Sequence, residues 1–503
     1  MALIAQILVS HTLAAARILE PDAGAEVTLD PTEILYIRTI LPETILRGRP
    51  WIPHRRLATL RVGTRLAVRG TTPSRDSAGC HGKPWYAVYP FGYLCSEHAR
   101  PASEGPPTAT AMAVPAGRRL PHRYAFVRQQ GTSIFTTRAD ARNNDPSDTL
   151  TKGMSLVIES TLAIDGIPYV HSAAGYVRKD DIRWGGQGSN WSGVAIHGRH
   201  LGPSFAWVSK ANAPVFTAPS ETSTRQAKLK RRTRVPLLDE RQNGRTRWLR
   251  IGESRWMRST ALNEVHIVRP PHDVVDNSGE FLSPRQWIDV DLGEQTLVAY
   301  RGAQPRFATL ISSGRSHPTP RGNYPVWAKV ASMTMASQEY EDDAYMVQGV
   351  PWVLLFQGHN ALHGAYWHDR FGARRSHGCV NLSPLDARWV FEWSGPSLPQ
   401  GWTGYLPGSR DRSTLIHIRD SSREEGERFT QDRPTGPPDR EQERIKREAA
   451  ALRRAEDAAQ EHNLGLAQDG FSWMSSAGTP EGSAPYIEAP PLPPLLGIEN
   501  DPG

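Results

Sequence analysis

Four of the chain's 17 histidines, His359, His363, His368 and His377, crowd into one short stretch together with Cys379. Two chemistries fit such a cluster. A free thiol has a pKa of roughly 8.5, so only a small fraction is thiolate at neutral pH. An imidazole beside it can take the proton, and the thiolate then attacks a carbonyl to give a thioester. Gly378 would let the backbone approach a substrate and, with Cys379, aim N–H groups at a developing oxyanion. A further group must hold the base imidazole in the useful tautomer. The rival chemistry is a metal site. His359 and His363 have i, i+4 spacing, and His377 with Cys379 would complete a tetrahedral N/S set for zinc. Against it, His359 to His363 carries no helix start signal and runs straight into Gly364. Spacing alone leaves open a third reading, in which the histidines are scattered core and surface residues.

The motif is more specific than the spacing. Ser376-His377-Gly378-Cys379-Val380-Asn381-Leu382, preceded by His363-Gly364, resembles the signature of the L,D-transpeptidase catalytic domain, the YkuD-like family. Ser312-Ser313-Gly314 followed by Thr319-Pro320-Arg321-Gly322-Asn323-Tyr324 is similar to that family's upstream block. The opening Trp287-Ile288-Asp289-Val290 and the closing Trp402 to Ile416 segment fit as well, so the resemblance covers about 285–420. It implies Cys379 as nucleophile, His363 as its base, and the Gly364 carbonyl as the acceptor that orients His363. His377 is expected to shape the nucleophile loop and contact substrate, Ser376 to make a local hydrogen bond, and Asn381 to brace the loop. Gly378 and Cys379 are the oxyanion-hole candidates. Trp367, Tyr366, Tyr324 and Trp352 are the candidates for cleft walls. His359 and His368 are peripheral on this reading, and Thr319, Pro320 and Gly322 form a structural turn. The implied reaction is acyl transfer from a peptidoglycan tetrapeptide stem to an amine, with no metal and no organic cofactor. Stem peptides are the implied substrates, and a wall-attached protein is a candidate acceptor. Two alternatives stay beside it: a catalytically inactive wall-binding protein, and a zinc-dependent wall hydrolase.

The elements that must position this stretch are strands. Three segments, 30–100, 119–186 and 204–270, share a weak internal pattern of alternating strands, a turn of the Asp-Gly or Asn-Gly kind, and an aromatic before a final short strand. Arg65 to Cys95, Gly153 to Val177 and Arg234 to Met257 carry it. The layout resembles bacterial SH3-like modules, which implies small barrels that either hold the protein on a wall polymer or serve as spacers with no ligand. Residues 101–118 read as a Pro/Ala/Thr-rich linker and 185–204 as a Gly-rich loop. The fold class expected is therefore mainly β: several SH3-like barrels, then a β-rich catalytic domain over 285–420. A charged, helical and Pro-rich tail follows over 421–503.

Composition sets the outer limits. The 503 residues carry 59 Lys+Arg against 52 Asp+Glu, a net +7 that fits an anionic wall and demands no nucleic-acid partner. With 43 Gly and 41 Pro, short strands and turns are favoured over long helices. No apolar stretch reaches the roughly 20 residues that span a bilayer. Cys80 and Cys95 can close a short loop in an oxidising compartment, which leaves Cys379 over. Residues 1–25 read as a degenerate export signal, so a periplasmic or wall-associated location is expected.

Overall fold

Apolar residues on nearly every position of Trp287–Val290 and Leu297–Tyr300 call for a hairpin covered on both faces. The computed structural model describes residues 36–422 apart from 42, 53–55, 74–78, 107–111, 197–201, 272–273, 275–285, 316–318, 337–344, 400–401 and 408–412. The expected signal segment and nearly all of the expected tail lie outside the described residues. Within them the protein is mostly strand, with two short α-helices, Arg138–Asn143 and Pro384–Trp393.

The hairpin Gln286–Asp291/Thr296–Arg301 sits in a six-stranded sheet beside Gln304–Leu310, Gly322–Pro325, Leu415–Arg419 and the short strand Val194–Ala195. One face of this sheet packs Ile288, Val290, Leu297, Ile416 and Ile418 against Leu354, Phe356, Leu362, Val380 and Leu382 of a second sheet, and against Val390 of the longer helix. The other face packs Trp287 and Tyr300, stacked 4.1 Å apart, against Trp207, Val265 and Ile267 of the third accessory segment. Each such side chain contributes about 1.5–3 kcal/mol relative to exposure, which explains the two-sided burial. The helix starts where Ser383 accepts a hydrogen bond from the Asp386 N–H at 3.1 Å and Pro384 follows, directly after strand Val380–Leu382.

The second sheet has 15 strands and does not stop at the 285–420 region. Trp402–Tyr405 pairs antiparallel with Arg56–Arg61 of the first accessory segment, and Met346–Gln357 pairs parallel with Ser155–Val157 of the second. The weak sequence repeat has a structural counterpart. Each segment ends on a strand, a three-residue 3-10 turn and another strand, with the turns at Ser96–His98, Lys179–Asp181 and Ser259–Ala261. The sheets are open, however, and none closes into a barrel among the described residues, so the SH3-like barrel expectation is not carried. The alternation in the sequence produces hairpins, but in the first and second segments Arg56–Arg61 and Ser155–Val157 pair with strands of the 285–420 region. Cys80 and Cys95 are joined by a disulfide in the first segment.

Within the stretch expected as a Gly-rich loop, residues 189–193 form a packed strap. Trp191 Nε1–H donates to Thr309 Oγ1 at 2.9 Å, Gly193 N–H to Asp386 Oδ1 at 2.8 Å, and Ser383 Oγ–H to the Trp191 carbonyl at 2.7 Å.

Candidate active site

The site is built on two short parallel strands, Asn360–Gly364 and Val380–Leu382, in the register Leu362–Val380, His363–Asn381 and Gly364–Leu382. Residues 365–379 form the connection between them. Cys379 stands one residue before the second strand. Its Sγ faces the turn that opens the first, 3.7 Å from the His359 carbonyl, and the Ala361 backbone also bonds to it. Ala361 and His363 share a strand face by the two-residue period. Cys379 packs against the apolar cluster that contains Ala361 and is flanked by Trp367, and the Trp367 ring stacks on His363 at 5.8 Å. Thiol and imidazole are thus gathered around one strand.

His363 is buried. Its Nδ1 lies 3.4 Å from the Gly364 carbonyl, the only partner that nitrogen has among the described residues. A carbonyl can only accept, so Nδ1 carries the proton and Nε2 keeps a lone pair. Burial pushes the imidazole down to about 4, opposed by that hydrogen bond. Cys379 retains partial exposure, yet burial of its sulfur pushes the thiol up to about 11, opposed by the Ala361 backbone bond. The resting pair is therefore neutral on both sides, a thiol with a base and not a preformed ion pair.

The nucleophile loop is stapled by side chains. Ser376 Oγ–H donates to the Cys379 carbonyl while its oxygen accepts from Gly378 N–H at 3.2 Å. Thr319 Oγ1–H donates to the Gly378 carbonyl at 2.7 Å. Gly378 has φ +148°, and a Cβ there would stand 2.6 Å from Asn360 Oδ1. Gly378→Ala should cost about 1–3 kcal/mol in backbone strain and displace the Cys379 sulfur. Unfolding midpoints and the rate of Cys379 alkylation by iodoacetamide measured together check it; an unchanged midpoint and rate would show that the loop tolerates the side chain.

Asn381 is buried and bonded through its backbone, in both directions, to Ser312 at 2.9 Å. Its amide lies 3.0 Å from His368 Nε2, and His368 Nδ1 accepts from the Arg370 N–H at 3.2 Å. Burial holds His368 neutral, at about 4. The Asn381 atom at that distance is Nδ2; with Nδ1 accepting, a neutral ring carries its proton on Nε2, and the contact becomes a hydrogen bond when the Asn381 amide is flipped. His368 is therefore a brace on the Val380–Leu382 strand, not the peripheral residue expected from the sequence.

The expected cleft walls divide. Trp367 lies on His363. Tyr324 is half-buried, with its hydroxyl on the Arg321 carbonyl at 2.8 Å. Tyr366 and Trp352 are core residues instead. Tyr366 is stacked 3.7 Å from Tyr124 of the second accessory segment, and its hydroxyl is bonded to Ser155 and to the Gln348 carbonyl. Trp352 is 3% exposed, with φ +56°, packed behind Gly364. His377 is exposed and stacks on Tyr345 at 5.0 Å. The zinc set is not assembled: among the described residues no group of three or more His, Cys, Asp or Glu side chains converges as ligands.

Residues 285–406 match the family of the L,D-transpeptidase catalytic domain, YkuD. Among curated proteins, YciB of Bacillus subtilis (strain 168), whose name provisionally places it with the L,D-transpeptidases, is 26% identical over 154 residues. That match spans 27% of this chain and 73% of YciB. Among solved structures, a mutant L,D-transpeptidase of Enterococcus faecium is 22% identical over 27% of this chain and 50% of its own length, with a TM-score of 0.22. An L,D-transpeptidase from Mycobacterium smegmatis is 15% identical over 46% of this chain and 100% of its own, with a TM-score of 0.23.

Proposed function

We propose, from the match of residues 285–406 to the L,D-transpeptidase catalytic domain, that the protein is a peptidoglycan L,D-transpeptidase with Cys379 as nucleophile and His363 as its base. One observation supports this most directly. The matched region sets a buried imidazole, its Nε2 lone pair free, on the strand beside the chain's one free thiol.

In the first step the Cys379 sulfur attacks the carbonyl between the L-centre of the diamino acid and the terminal D-Ala of a tetrapeptide stem. Its proton passes to His363 Nε2. The new oxyanion takes the Cys379 N–H, because the Gly378 N–H is already engaged by Ser376. Collapse breaks the C–N bond, the D-Ala nitrogen leaves with the proton from His363, and a thioester remains. In the second step an amine attacks the thioester, gives its proton to His363, and expels the sulfur, which recovers it. A side-chain amine of a neighbouring stem is the ordinary acceptor, and a wall-attached protein offers the same chemistry. The substrate is a wall polymer, so the protein acts outside the cytoplasm, in the periplasm or at the wall.

The test is incubation with a disaccharide-tetrapeptide and mass spectrometry of the products, with Cys379→Ala and EDTA arms. Loss of product in EDTA but not in Cys379→Ala would replace this reading with the zinc hydrolase. No product in any arm would leave a wall-binding protein.

A further inference from the structure

The connection from His363 to Cys379 is held at its far end by another part of the chain. Arg232 grips Asp369 as a fork, with Nη1–H to Oδ2 at 3.2 Å, and Nη2–H to Oδ1 and to the main-chain carbonyl at 2.8 Å each. Arg231 Nη1–H donates to the same carbonyl at 3.2 Å, and its Nη2–H to the Phe371 carbonyl. Ser189 of the strap donates to Asp369 as well. Arg232 has φ +69°, a conformation that costs a non-glycine residue energy. Its guanidinium lies over Trp191 of the strap at 5.1 Å. Phe371 is buried in one cluster with Trp207 and Val265. Asp369 adjoins His368, which braces Asn381, and Asn381 stands opposite His363 and two positions after Cys379.

We propose that the third accessory segment is a positioning part of the active site: Arg231 and Arg232 hold Asp369, and with it the 365–379 connection, in the shape that sets Cys379 beside the strand that carries His363. The Asp369 side chain is 57% exposed, and ion pairs this exposed add little to global stability. The clamp acts on where the connection sits. Arg231 and Arg232 are positioning residues, separated from the thiol by Asp369, His368 and Asn381. For its activity readout the inference rests on the transpeptidase reading, but the second readout does not.

The test uses the full chain with Asp369→Asn, with Arg231→Gln/Arg232→Gln, and with all three changes, at a temperature where circular dichroism shows every protein folded. Cys379 is the one free cysteine, so alkylation by iodoacetamide followed by intact mass over a pH series reports its reactivity alone. Kinetics with the tetrapeptide separate kcat from KM. The clamp predicts that each variant lowers kcat about tenfold or more, with KM within about twofold. Burial of the sulfur is what holds the thiol up. Release of the connection therefore raises the neutral-pH alkylation rate and moves its rise to lower pH. The combined variant departs from wild type no further than the more altered of the other two. Wild-type profiles in the variants, or losses that multiply in the combined variant, would overturn it. If the wild-type protein alkylates but transfers no acyl group, the transpeptidase reading fails and alkylation alone judges the clamp. If it transfers acyl groups and the variants match it, only the clamp fails.

Discussion

Cys379→Ala should lower acyl transfer by about 10⁴-fold or more, to the level left by substrate binding and the backbone donors alone. Cys80 and Cys95 are consumed in a disulfide, so no second thiol can take over. The side chain is small and partly exposed, and its removal leaves the stapling bonds of Ser376 and Thr319 in place, since these hold main-chain atoms. The variant should therefore fold and still bind its donor. A carbapenem should add its mass to the wild-type protein at Cys379 and leave the variant unmodified. Undiminished turnover in the variant would remove the thioester from the mechanism.

His363→Ala should lower kcat/KM by about 10²–10⁴-fold near neutral pH, the usual worth of a positioned general base. The pH dependence makes the assignment specific. Burial holds the imidazole at about 4, so in the wild-type protein the base form dominates at neutral pH and is lost only as pH falls through that value. The thiol is held at about 11, so without a base the thiolate must come from solvent, and its fraction rises about tenfold per pH unit below that value. The variant should recover steadily from pH 7 to 10 while the wild type stays nearly flat. A constant deficit across that range would mean that His363 does not accept the proton.

The candidate nucleophile and base could be named from the sequence because the signature is local: Cys379 with its neighbours, and His363-Gly364 just upstream. The upstream block was legible for the same reason, and Thr319, expected only to turn the chain, bonds to Gly378 in doing so. What escaped sequence reading depends on distant partners. Nothing near Tyr366 says that Ser155, 211 residues away, will meet its hydroxyl and draw it into the core. His368 finds its role in Asn381, 13 residues on, and Asp369 finds its own in Arg232, 137 residues back. Alternating strands were visible in all three accessory segments, but alternation does not say which strand an edge will choose. Arg56–Arg61 chose Trp402–Tyr405 and left its own sheet open.

That choice of partner decides where this chain can be cut. Trp402 and Tyr405 are covered by Ile37, Leu46, Ala58 and Leu60 of the first accessory segment, so a fragment beginning near residue 285 would carry a bare aromatic edge. The same cut would strip Ser155–Val157 from Met346–Gln357, and Trp207 and Val265 from Trp287. Unpaired, apolar strand edges of this kind recruit further strands and aggregate. The segment that matches the catalytic family is thus no cassette to be excised or grafted. Its border runs through shared hydrophobic cores, and an expression strategy should keep residues 36–422 together.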